Sequence, residues 1–165
     1  LMRSDEMPQD GLPATLSFDA LVRERVQFVE ALARPRGISL DFASEEAAAL
    51  QVHGERESLI SMVSNLVENA IKYSPDGGVV KVRVRRESSD AVLRVTDRGP
   101  GIPPALRERV FDRFFRNPDQ TQSGSGLGLA IVRSVLEKHG GRIELADGDE
   151  GRGLCATVRL PLSAG

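Results

Sequence analysis

The sequence predicts an α+β fold: a two-layer α/β sandwich with three helices on one face of a mostly antiparallel sheet. Three observations support this. Apolar residues recur at helical spacing in three segments, near residues 17–34, 56–73 and 127–139. Val79–Arg85, where valines alternate with Lys81, Arg83 and Arg85, and the apolar-rich Ala91–Asp97 read as two antiparallel strands joined by Glu87-Ser88-Ser89-Asp90. Clusters of Gly, Pro, Asp and Ser punctuate these segments, and 165 residues suffice to bury one core.

Taken in order, residues 1–15 lack periodicity and hold Asp5-Glu6, Pro8, Asp10-Gly11 and Pro13, so they read as a linker before a domain spanning 16–165. Ser17 is placed to N-cap a helix with Asp19 in its first turn and Leu21, Val22, Val26, Val29 and Leu32 inside; Pro35 and Gly37 stop it. Ile38–Phe42 alternates as a half-buried strand, and Leu50–His53 suggests a short partner for it. A helix follows from Arg56 to Tyr73, closed by the turn residues Ser74-Pro75-Asp76-Gly77-Gly78. In the next strand Lys81, Arg83 and Arg85 share one side and valines the other, so the sheet is expected to be wet on one face, its charges solvated. Residues 98–125 are irregular, with one short helix expected around Pro104–Phe111, and a connection this long is usually functional. Leu127–His139 is the third helix, with His139 and Gly140 at its cap, and strands at Arg142–Leu145 and Leu154–Leu160 complete the chain.

Composition narrows the function. A net charge of -2 with 28% charged residues gives no general attraction to nucleic acid or to a membrane surface. Cys155 is the sole cysteine, which rules out an intramolecular disulfide and a thiolate metal cluster and fits a reducing cytoplasm. No apolar run approaches the roughly 18 residues of a membrane helix. Beginning at Leu1, the sequence reads as a piece of something longer.

Chemistry concentrates in three places. Asn65, Asn69, Lys72 and Tyr73 lie on one stripe of the second helix, although Asn is a mediocre helix former. Such a stripe can offer oxygen to a hard cation, positive charge to phosphate and a ring to a base; a merely solvated helix face is the alternative. Asp97-Arg98-Gly99-Pro100-Gly101 leaves a strand end, where a carboxylate could accept from an amino group while glycines let backbone approach, or could simply form a turn. Gly124-Ser125-Gly126-Leu127-Gly128-Leu129 opens the third helix, a phosphate-binding arrangement that lacks the βαβ setting of a dinucleotide fold and the Lys-Ser/Thr of a Walker loop. It could equally be a hinge. Between the last two, Phe111, Phe114 and Phe115 fall within six residues, anchoring a lid or marking a contact surface. His53 and His139 read as structural.

Together and in this order, these motifs resemble the catalytic, ATP-binding domain of bacterial sensor histidine kinases, in the superfamily shared with gyrase B, Hsp90 and MutL. Asn65–Tyr73 is similar to the family's N box, Asp97–Ile102 to its G1 box, Phe111–Phe115 to its F box and Gly124–Leu129 to its G2 box, and the resemblance spans roughly residues 17–162. It implies the Bergerat-type sandwich with a mixed sheet, and ATP with Mg²⁺ as cofactors. Asn69 would give its amide oxygen to Mg²⁺, Asn65 would sit beside the triphosphate, Lys72 would contact phosphate and Tyr73 would pack on adenine or ribose. Asp97 would accept from the adenine amino group, with Gly99, Gly101 and Ile102 close by. Residues 102–125 would form the ATP lid, with Gly124, Ser125, Gly126, Leu127, Gly128 and Leu129 as hinge and phosphate cradle. Arg113 or Arg116 would neutralise the γ-phosphate, and Glu68 would polarise the acceptor.

The ATP-hydrolysing members carry a Glu four residues before the magnesium Asn. Asn65 stands there in this chain and cannot act as a general base, which implies phosphoryl transfer to a partner. The partners implied are a dimerisation and histidine-phosphotransfer domain of the same parent kinase and a response regulator, with no nucleic acid. The fragment itself would be monomeric and not membrane-bound, a cytoplasmic part of a membrane-anchored parent. Two departures stand out: the family's phosphoacceptor His motif is absent, and Leu154-Cys155-Ala156 replaces a Ser/Thr-x-Phe strand. An anti-sigma-factor-type serine kinase and a non-catalytic nucleotide-binding module are the competing readings.

Overall fold

The computed structural model describes residues 12–46, 48–112 and 128–163. Its main sheet has five strands in the spatial order β2 (Ser39–Ser44), β4 (Val79–Glu87), β5 (Asp90–Thr96), β7 (Leu154–Pro161), β6 (Arg142–Asp147). The pair β2–β4 is parallel and the other three pairs are antiparallel, so the sheet is mixed. A parallel pair needs a long crossover. The crossover here contains α2 (Arg56–Tyr73), whose bounds match the periodic segment in the sequence.

Alternation along the strands sends Val80, Val82, Val84, Leu93, Val95, Val158 and Leu160 to one face, where all are buried. Three helices cover that face: α1 (Phe18–Ala33), α2 and α3 (Gly128–His139). Leu59 and Met62 of α2 are fully buried, and each such side chain contributes about 1.5–3 kcal/mol through its burial. Tight packing fixes α2 between the sheet and both other helices.

The opposite face is wet, as expected, but its charges are paired. Lys81 meets Asp149 at 2.7 Å, Arg83 meets Asp41 at 3.0 Å and Arg85 meets Glu45 at 3.6 Å. Glu87 is the hub, accepting from Arg159 at 2.8 Å and Arg94 at 2.9 Å, and these hydrogen bonds hold its carboxyl down at about 2. Val92, in register with Arg85 and Arg159 on this face, is fully buried.

Several local expectations change. Residues 13–15 belong to a strand, β1 (Pro13–Ser17), which pairs with β3 (Gln51–Glu55); residues 1–11 of the expected linker lie outside the described residues. Leu50–His53 therefore partners β1 and not the strand before it. Ser17 is the N-cap of α1, yet its hydroxyl donates to Asp19 at 2.9 Å instead of accepting a helix amide; Asp19 also accepts from the Leu50 amide at 2.9 Å. The short helix expected at Pro104–Phe111 is two single 3₁₀ turns, Pro104–Leu106 and Arg109–Phe111. His139 ends α3 but reaches away from a cap: Nδ1 donates to Val135 O at 2.7 Å and Nε2 accepts the Glu55 amide at 3.1 Å. That bond ties the end of α3 to the start of α2. No helix among the described residues is long and apolar enough to cross a membrane.

Candidate functional site

The site is built along the outer half of α2. Asn65 turns its amide nitrogen back onto Ser61 O at 2.7 Å, an i−4 bond that orients the side chain. Its oxygen faces the start of α3. A Cβ placed on Gly128 would lie 3.2 Å from Asn65 Oδ1 and 3.3 Å from Asn69 Nδ2. Glycine thus lets the described start of α3 approach both amides, and a helix start is where backbone donors can receive an anion. Two segments nearly sixty residues apart in sequence meet here. Leu129 anchors the contact by packing on the core.

One turn further on, Lys72 Nζ sits 5.3 Å from the centre of the Tyr73 ring. The Tyr73 carbonyl lies so close to Gly99 that a Cβ there would overlap it. Gly99 in turn donates its amide to Asp97 Oδ1 at 2.8 Å, and Leu154 donates to the same oxygen at 3.3 Å. Asp97 is one of two buried polar or charged residues among those described, the other being Ser74. Burial pushes its carboxyl above the ordinary aspartate range, while the Gly99 and Leu154 amides pull the other way. Its second oxygen, Oδ2, makes no hydrogen bond among the described residues and is left as an acceptor.

The cradle includes residues that sequence reasoning missed. A Cβ on Gly153 or on Gly148 would crowd the Asp97 carbonyl, and a Cβ on Gly101, whose φ is +74°, would come within 2.8 Å of Gly153 O. The turn between β6 and β7 therefore wraps the strand end that bears Asp97. The cluster Gly148, Gly151 and Gly153 was its visible signal. Ile102 is held by Arg107, which donates to its carbonyl at 2.9 Å and pairs with Asp147 at 2.6 Å. Phe111 is buried beneath Arg133, whose guanidinium lies 5.1 Å from the ring centre, so the described start of the long connection is packed on α3.

Of the predicted site residues, the structure brings Asn65, Asn69 and Gly128 together at one end and Lys72, Tyr73, Asp97 and Gly99 at the other. Glu68 is exposed and makes no hydrogen bond or ion pair among the described residues. Arg113, Arg116, Gly124, Ser125, Gly126 and Leu127 lie outside the described residues. The donor set fits a hard cation that keeps waters and phosphate oxygens in its shell: one amide oxygen from Asn69 beside an anion-receptive helix start. Among the described residues no group of three His, Cys, Asp or Glu could cage a metal by itself.

A central helix that meets a glycine-led helix start at one end and a buried strand-end aspartate at the other defines a nucleotide-binding α+β domain. Residues 54–164, more than half of the chain, match the family model described as histidine kinase-, DNA gyrase B-, and HSP90-like ATPase, and the chain belongs to that family. It is 48% identical over 104 residues to the sensor protein kinase PmrB of Pseudomonas aeruginosa, covering 62% of this chain and 22% of that protein. Over 126 residues it is 42% identical to the sensor-like histidine kinase SenX3 of Mycobacterium bovis, covering 74% of this chain and 30% of SenX3. Among solved structures it superposes on the mycobacterial sensor histidine kinase MprB with a TM-score of 0.78 at 35% identity, covering 93% of this chain and all of that one. The catalytic domain of histidine kinase ThkA gives a TM-score of 0.80 at 27% identity, covering 90% and 95% of the two chains. The chain spans less than a third of the length of these curated relatives.

Proposed function

We propose that this domain binds Mg-ATP and presents its γ-phosphate to a histidine on a separate dimerisation domain of a parent kinase, for relay to a response regulator. The observation that carries the reading is the two-ended site on α2, with paired amides against Gly128 and the buried Asp97 beyond Tyr73. Asp97 Oδ2 is the acceptor for the adenine amino group. Asn69 would hold a magnesium ion through its amide oxygen, the ion supplying positive charge to the phosphates, and Asn65 and the α3 start would receive phosphate oxygens. Lys72 adds a point charge.

Catalysis in this reading is positioning plus electrostatics, the usual division of labour in phosphoryl transfer. The domain's own contribution is to hold the phosphates in place. Asn65, an amide, has no basicity with which to activate water. The γ-phosphate is therefore retained for an incoming imidazole. Relatives support the relay: ThkA, 26% identical, has been solved in complex with the response regulator TrrA. The parent would hold this domain on the cytoplasmic side of a membrane.

The test is phosphotransfer in trans. Incubated with labelled ATP and Mg²⁺, the domain should label a cognate histidine domain at an acid-labile, base-stable site and remain unlabelled itself. Stable labelling of the domain alone, or ATP hydrolysis that ignores the histidine partner, would refute the reading.

A further inference from the structure

Arg36 lies in the short turn after α1, far along the chain from the helix that its side chain serves. Nη1 donates to the carbonyls of Ile71 at 2.6 Å and Lys72 at 3.3 Å, Nη2 donates to the Ser74 carbonyl, and Nε meets Asp76 Oδ1 at 2.8 Å. Its own carbonyl accepts the Gly77 amide at 2.9 Å. The end of α2 needs such a partner. A helix C-terminus leaves its last carbonyls without intrahelical donors, and a left-handed glycine commonly helps to satisfy them. Here the C-cap is Ser74 in extended conformation (φ -74°, ψ 147°), whose amide and hydroxyl reach only Ala70 O and, more weakly, Ile71 O. From outside the helix, Arg36 supplies donors to Ile71 O, Lys72 O and the Ser74 carbonyl just beyond.

The capped turn is the one that bears Lys72 and Tyr73, and the Tyr73 carbonyl packs against Gly99 with no room for a Cβ. A shift of this turn must move either those side chains or the Asp97–Gly99 cradle. We propose that Arg36 is a positioning residue for nucleotide binding, clamping the last turn of α2 in register with Asp97; this rests on reading the site as an ATP site. The planar fork suits this arrangement: Nη1 and Nη2 reach carbonyls on either side at once in a fixed geometry, which the single nitrogen of an ammonium on a flexible stem holds less well. The Asp76 arm is dispensable: that carboxylate is 80% exposed, where an ion pair contributes little.

Four proteins test this: the wild-type chain, Arg36→Lys, Arg36→Ala and Asp76→Asn. Each is titrated with Mg-ATP by calorimetry, melted without ligand and followed by amide hydrogen exchange. Arg36→Lys should weaken ATP binding about three- to tenfold and Arg36→Ala more, while Asp76→Asn stays at wild type. The Ser74 and Gly99 amides should exchange about tenfold faster in Arg36→Lys, with the melting temperature within about 3 °C of wild type. The proposal is overturned if Arg36→Lys binds ATP as wild type does, or if its loss of affinity comes only with a matching global destabilisation. A wild-type chain that fails to bind Mg-ATP overturns the ATP reading and this proposal with it. A wild-type chain that binds, with Arg36→Lys unaffected, overturns this proposal alone.

Discussion

The two ends of α2 meet the rest of the protein on different terms. At the Tyr73 end the contacts are backbone to backbone: the Tyr73 carbonyl on Gly99, the Gly99 and Leu154 amides on Asp97, the β6–β7 turn on the Asp97 carbonyl. At the Asn65 and Asn69 end the contacts are made by side-chain amides facing a glycine. Backbone cannot yield without moving a strand, whereas a side chain can rotate. One end is therefore a fixed template, suited to a flat base that must be told from its analogues, and the other is an adjustable receptor, suited to phosphates and a hydrated ion. On the proposed ATP-site reading, specificity and adaptability would be separated along one helix.

Substitutions at each end can break that comparison. The largest effect is expected from Asn69→Ala, which removes the one amide oxygen assigned to the ion. A bond to a charged group contributes at most about 3 kcal/mol, so Mg-dependent ATP affinity should fall roughly 100-fold with the fold intact. Calorimetric affinity unchanged from wild type would end the magnesium assignment. Asp97→Asn comes next, with about 10- to 30-fold weaker ATP binding and a narrowed preference over GTP, since an amide nitrogen would oppose the adenine amino group.

Asp97 also makes a prediction about stability, with the opposite sign. Its carboxyl is raised in the folded protein, chiefly by burial, so the folded state binds this proton more tightly than the unfolded state. The favourable contribution is present below the unfolded-state aspartate value and is lost as pH rises through the folded one. At neutral pH the ionised group is a net burden. Asp97→Asn, which keeps an oxygen for Gly99 and Leu154, should melt no lower than wild type at pH 7 while binding ATP less well. A clear drop in melting temperature would show that the carboxylate holds the cradle together and is not held by it.

The sequence made some of this visible and hid the rest for physical reasons. The bounds of α2 and the pairing of β4 with β5 were legible because both depend on local periodicity and a short turn. β1 was not: its five residues include Pro13 and an exposed start, and its partner β3 lies beyond α1. Chain proximity likewise suggested the wrong partner for β3, since β2 reaches its true neighbour β4 only through the α2 crossover. The motif residues were readable as types, but burial of Asp97 depends on a turn more than fifty residues later folding over it. Arg36 escaped altogether, and His139 was read only as a helix-end residue, because the Arg36 acceptors and the Glu55 amide that His139 receives lie 35 or more residues away and leave no spacing to read.

The comparison is sharpest when one methyl is added at each end. Gly99→Ala pushes a Cβ into the Tyr73 carbonyl, and neither strand end nor helix end can retreat. Overpacking of this kind costs about 1–3 kcal/mol, read as a lowered urea midpoint, and ATP binding should suffer with it. Gly128→Ala is the smallest effect. The three described atoms nearest its Cβ would be Asn65 Oδ1 at 3.2 Å and the Asn69 amide at 3.3–3.5 Å, side chains that can give by a few tenths of an ångström. Replacing glycine in the middle of a helix gains about 0.5–1 kcal/mol; at the first residue of α3 the gain is smaller but of the same sign, and it offsets part of the crowding. Stability should stay within about 0.5 kcal/mol of wild type, with ATP affinity reduced only about two- to fivefold because the methyl narrows the space between the amides and the helix start. Equal damage from the two alanines would mean that the Asn65–Asn69 end is as rigid as the Tyr73 end, and that the division of α2 into template and receptor is wrong.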